Sequence, residues 1–112
     1  GADRFISVHH NAASNRSWNG VETYSATNGS WASQDMRNKI HKRLVGGLGI
    51  RNIGAKKANF HVLRNTKMPA VLVEPAFVSN RYQEARLKDP AYNWKEAYYI
   101  YAGIADHFGV RP

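Results

Sequence analysis

Two residues combine a reactive type with a telling place in the chain. His9 closes the β-prone run Phe5-Ile6-Ser7-Val8, and Glu74 closes the apolar run Ala70-Val71-Leu72-Val73. An imidazole is a metal ligand or a proton shuttle near neutral pH. A carboxyl group that ends an apolar run is partly withdrawn from water. That raises its pKa towards a value useful for proton transfer. In open α/β sheets, sites form beyond the carboxyl ends of the strands. If the two runs are parallel neighbours, His9 and Glu74 face one crevice. The plain alternative is a hydrogen-bonded histidine at a strand end and a glutamate that begins a loop.

The other titratable residues give weaker signals. His9 and His10 are adjacent, and successive side chains on a strand point to opposite faces. One of them is then a candidate ligand and the other a rim residue. His41 falls in a helix among basic residues and is read as solvated. His61 falls in a β-prone run and is read as a core histidine. His107 lies near the end of the last helix, where the helix dipole favours a cation. There are no cysteines. Thiolate zinc fingers, cysteine nucleophiles, disulfide scaffolds and iron–sulfur clusters are therefore excluded, and any metal must be held by His, Asp or Glu.

The elements that must position these residues alternate between short apolar runs and amphipathic stretches, an α/β pattern. Phe5–His9 reads as a first strand and Gly20–Ser25, which alternates, as a second. Ser30 is an N-cap for a helix in which Ala32, Met36, Ile40 and Leu44 recur every four residues, stopped by Gly46-Gly47. A glycine-rich stretch follows. Phe60–Arg64 reads as a third strand and Ala70–Glu74 as a fourth, apolar enough to be covered on both faces. A short helix runs from Asn80 to Lys88, and Asp89-Pro90 caps a last one. Trp94, Ala97, Tyr98, Tyr101, Ile104, Ala105 and Phe108 share one face of it and read as core.

The chain has 112 residues, room for one domain, and 43% of them are hydrophobic, enough for a real core. No apolar run spans a bilayer, and Gly1 to Phe5 has no signal-peptide pattern. Sixteen Lys and Arg against eight Asp and Glu give a net charge of +8, which favours an anionic partner. Nucleic acid, an anionic membrane and an anionic wall polymer all qualify by charge. No KH loop, RRM aromatic pair or zinc-finger spacing supports nucleic acid, and the basic residues are scattered.

Two stretches together resemble a known family. Phe5-Ile6-Ser7-Val8-His9-His10-Asn11-Ala12 is similar to the strand ending in His-x-Asn of zinc-dependent N-acetylmuramoyl-L-alanine amidases. Met68 to Asn80 resembles their second motif, a Pro-led apolar strand ending in Glu, followed by Phe-x-Ser-Asn. Gly20–Tyr24 and Phe60–Arg64 match in order and spacing. The resemblance covers nearly the whole chain. It implies an α/β fold, a mixed and mostly parallel sheet flanked by helices. It implies one catalytic zinc and cleavage of the amide between N-acetylmuramic acid and the L-alanine of the stem peptide. His9 matches a zinc ligand and Glu74 the catalytic acid/base, while His10 stands where the family often has a small residue. Asn11 and Asn80 flank the two motifs. They either orient the site and touch substrate or cap local turns.

The resemblance also implies two further zinc ligands, a His and a Glu, upstream of Phe5–Asn11. Residues 1–112 then form a single amidase-like domain lacking the first strand and first helices of the family. None of His41, His61, His107 or Glu22 matches a missing ligand. The expected partners are peptidoglycan and anionic wall polymers, without nucleic acid and without a transmembrane segment. Self-association through an unpaired sheet edge is also expected. The implied location is the cell wall, the periplasm or the outside of the cell, with a phage lysin as another setting. The competing reading is an inactive fragment that holds an anionic wall polymer.

Overall fold

The computed structural model describes residues 2–112. Its elements are β1 (Phe5–Val8), β2 (Val21–Ala26), α1 (Trp31–Leu48), β3 (Asn52–Ala58), α2 (His61–Arg64), β4 (Ala70–Glu74), α3 (Arg81–Leu87) and α4 (Pro90–His107). The strands form one mixed sheet in the order β1-β4-β2-β3. β1 runs parallel to β4 and β3 parallel to β2, whereas β2 and β4 are antiparallel. The expected mixed, mostly parallel sheet flanked by helices is the observed one. Among the described residues, β1 and β3 are its edges.

The two-residue period of the strands sorts the side chains into two cores. Val71 and Val73 of β4 and Val21 of β2 meet Met36, Ile40, Leu44 and Leu48 of α1, with Tyr99, Ile100 and Ile104 of α4 packed behind. On the other face, Ala70 and Leu72 meet Ala26 and Leu63, with Phe5 and Tyr24 alongside. Glu74, Glu22 and His9 continue the second set, so the period itself aims them at the face that α2 covers only in part.

Helix caps follow the sequence. The Ser30 side chain accepts from the Ser33 N–H, Asn80 from that of Gln83 and Asp89 from that of Ala91. Five expectations are corrected. α1 does not stop at Gly46-Gly47 but ends at Gly49, whose φ of 68° suits a left-handed cap. Gly47 is there for packing instead, since a Cβ would overlap the Tyr99 ring. Phe60–Arg64 is not a strand. Asn52–Ala58 takes the edge beside β2, and the later segment turns into α2 to bury Leu63.

His41 is not solvated. It is buried on the sheet face of α1 between Thr23 and Asn52. His61 is exposed on α2 rather than in the core. Nor is the aromatic face of α4 core: Trp94, Tyr98, Tyr101 and Phe108 are exposed. α4 turns its small residues inward instead, and a Cβ on Gly103 would lie 2.7 Å from the Ile40 nitrogen. That close approach rotates the large rings out to the flank.

Candidate active site

β1 and β4 are parallel neighbours with Val8 opposite Val73. One step further, the His9 N–H donates to the Val73 carbonyl at 3.0 Å. His9 and Glu74 thus leave the same end of adjacent strands on the same face. His10 leaves on the other, where its Nε2 lies 2.9 Å from Glu96 Oε1 of α4. The alternation that separates the two histidines is the one read from the sequence.

The antiparallel partner of Glu74 is Glu22 of β2. Asn11 links them: its Nδ2 donates to Glu22 Oε1 at 3.0 Å and to Glu74 Oε2 at 2.8 Å. Glu22 is the better buried of the two, at 6% exposure, and it is fully engaged. Its other oxygen accepts from the Tyr24 hydroxyl and from Lys56 Nζ, the latter at 3.0 Å. Glu74 Oε1 takes no bond from the described residues. Burial first, and then the charge of Glu22, holds the Glu74 carboxyl above the usual carboxylate range, while His9 pulls it down. Burial and the bond to Glu22 push the Tyr24 phenol up.

Asn80 plays a different part. Its Oδ1 caps α3 at Gln83, and its Nδ2 donates to the Ser17 carbonyl at 3.3 Å. It stands apart from the carboxylate pair, in the wall formed by the loops after β1 and β4. These loops are zipped together. The Asn11 N–H donates to Ala76, the Val78 N–H to Asn11, and the Ala13 N–H to Ser79 Oγ.

Sequence reasoning named Glu22 only as failing to match a zinc ligand, and it gave Tyr24 and Lys56 no role in the site. A signal for the first two was present: in Val21-Glu22-Thr23-Tyr24, a glutamate shares the face of an aromatic, and a buried charge needs partners. Lys56 carried none, because its segment does not read as a strand.

A catalytic zinc takes three protein ligands and keeps one position open. Among the described residues, no cluster of three His, Asp or Glu side chains is placed to hold a metal ion. His9 offers one imidazole, and the Glu22 oxygens are spent on Asn11, Tyr24 and Lys56. These residues by themselves do not fit a zinc.

A histidine and a glutamate at the carboxyl ends of parallel neighbours place the candidate site in the crevice beyond those strands. The family model described as N-acetylmuramoyl-L-alanine amidase, Amidase_3, matches residues 1–106, and the chain belongs to this family. It is 40% identical over 108 residues to the N-acetylmuramoyl-L-alanine amidase LytC of Bacillus subtilis, covering 96% of this chain and 22% of that protein. It is 40% identical over 97 residues to the endolysin of Bacillus phage SPP1, covering 81% of this chain and 35% of that protein. Among solved structures it resembles the catalytic domain of CwlV, an N-acetylmuramoyl-L-alanine amidase from Bacillus (Paenibacillus) polymyxa. The TM-score is 0.87 at 36% identity, over 98% of this chain and 60% of that one. The chain therefore spans a minor part of these curated relatives and three fifths of that catalytic domain.

Proposed function

We propose that this chain carries peptidoglycan hydrolysis at the amide between N-acetylmuramic acid and the L-alanine of the stem peptide, with Glu74 as the acid/base. The observation that carries the reading is the Glu74 carboxyl itself. Burial and the charge of Glu22 raise its pKa, one oxygen is held by Asn11, and the other takes no bond from the described residues. Ionised, Glu74 takes a proton from the water that attacks the scissile carbonyl carbon. It then delivers that proton to the nitrogen as the C–N bond breaks. The products are a free carboxyl on the lactyl group and a free amine on L-alanine. Asn11 keeps the carboxylate aimed, and Lys56 offsets the charge of Glu22 so that two glutamates tolerate one site. Asn80 shapes the substrate wall by holding Ser17.

Zinc is the cofactor that the family resemblance names, and His9 is the ligand it matches. A complete zinc sphere takes more ligands than the described residues bring together. The family membership and the names of LytC and CwlV support the substrate. Relatives that include the N-acetylmuramoyl-L-alanine amidase LytC and a phage endolysin support a site of action at the cell wall. The test is the bond cut. Purified peptidoglycan is incubated with the protein as the cell makes it, and fragments are identified by mass spectrometry. New amino-terminal alanine without new reducing sugar ends is the expected result. New reducing ends alone would refute the amidase reading.

A further inference from the structure

A groove of about 930 Å³ runs between the loop after β1 and helix α3. Arg16 and Ser17 form one wall, and Asn80, Arg81, Tyr82 and Lys88 the other. It opens where the zipped loops end. The zip starts at Asn11, whose side chain holds Glu74, and closes with the Asn80 to Ser17 bond. The groove is thus built by the same two loops that leave the active strands. Trp18, next in the chain to Ser17, lies under the Arg51 guanidinium at 4.1 Å.

Arg16, Arg81 and Lys88 outnumber Glu84 among the charged side chains that line this groove. Lys88 lies 3.4 Å from Glu84, but neither Arg16 nor Arg81 has an ion-pair partner among the described residues. Tyr82 is 76% exposed on the same wall. Two free guanidiniums and an exposed ring suit a carboxylate-bearing peptide, because guanidinium binds carboxylate in a fixed fork and an aromatic face covers the backbone.

We infer that the groove lined by Arg16, Arg81 and Tyr82 is the subsite for the peptide arm of the substrate, and that the two arginines recognise its free carboxylates. This rests on the peptidoglycan reading above. The scissile amide joins a glycan arm of neutral sugars to a peptide arm that carries carboxylates. Only the peptide arm matches a cationic groove, so the assignment also fixes which way the substrate lies across Glu74. It makes Arg16 and Arg81 specificity residues, sensitive to amidation of the stem peptide.

The test measures binding, not turnover. N-acetylmuramoyl-L-alanyl-D-isoglutamate and its fully amidated counterpart are titrated into the protein by calorimetry. The wild type should bind the acid form roughly tenfold more tightly, the worth of one charge-assisted hydrogen bond. The Arg16→Gln, Arg81→Gln double variant should bind both forms alike, at the level of the amidated ligand. Lys57→Gln, an exposed change on β3, should leave the preference intact. Raising the salt from 0.05 to ~0.5 M should shrink the wild-type preference, as exposed charges are screened. Equal binding of both ligands by the wild type, binding of neither, or a preference that survives in the double variant overturns the assignment. Carboxylate-selective binding without amide cleavage would keep the subsite and remove the hydrolysis. Cleavage without selectivity would do the reverse.

Discussion

At the scale of single residues, the site is a pair of glutamates made unequal by their neighbours. Glu22 has its charge met by Lys56, Tyr24 and Asn11, while Glu74 shares Asn11 and keeps one oxygen for solvent or substrate. The negative charge of Glu22 raises the Glu74 pKa. Glu22→Gln removes that charge, so the Glu74 pKa should fall. A base must be ionised to act, so the acid limb of the pH–rate profile should move to lower pH in the variant. An acid limb that stays in place would mean that Glu22 does not act on the titrating group. Glu74 and His9 were legible because each ends an apolar run. The role of Glu22 was not, because only the β2–β4 register brings it opposite Glu74.

At the scale of elements, close packing decides what the sequence leaves open. α1, α3 and α4 are readable from their caps, and β1, β2 and β4 from their apolar runs or alternation. β3 is not readable: Asn52-Ile53-Gly54-Ala55-Lys56-Lys57-Ala58 has lysines and a glycine where a strand usually has branched residues. It exists as an edge because β2 offers it a ladder, and edge strands commonly carry such charges. The outward aromatics of α4 were equally hidden. Period alone finds a face, but Gly103 against Ile40 determines which face goes in. Gly103→Ala should therefore lower stability by about 1–3 kcal/mol, the cost of overpacking, read as a lower denaturant midpoint. An unchanged midpoint would show that the two helices can separate freely.

His41 makes a second test of the α1–sheet contact. Its Nδ1 accepts from the Thr23 hydroxyl at 3.0 Å and its Nε2 donates to Asn52 Oδ1 at 2.7 Å. Burial, with some help from the Arg37 charge, lowers its pKa below the ordinary 6.5, although the Asn52 bond opposes this. The unfolded chain then binds the proton more readily than the folded one. Stability should hold above pH 6.5 and fall as the pH drops from there through the folded-state value. His41→Gln should flatten that fall in thermal melts taken across the range. A melt series as steep in the variant as in the wild type would assign the acid loss to another group.

At the scale of the whole molecule, the fold places a compact carboxylate site on one sheet face of a basic body of net charge +8. No helix among the described residues is long and apolar enough to cross a membrane. Exposed charge is screened within about 10 Å at 0.1 M salt, so retention on purified walls should fall steeply across a salt series. Retention indifferent to salt would point to shape recognition of the glycan instead. The family was legible in the sequence because its two motifs lie on adjacent strands that the fold keeps side by side. The cationic groove was not, since it joins residues far apart in the chain through the bond from Asn80 to Ser17. The most direct measurement of the central claim is turnover of purified peptidoglycan by Glu74→Gln in the protein as the cell makes it, with zinc content determined in parallel. The substitution keeps the size and the Asn11 bond but removes the titrating group. Zinc content should be unchanged while release of peptide falls by roughly 10²–10⁴-fold. Release at the wild-type rate would contradict the account and leave Glu74 a structural residue.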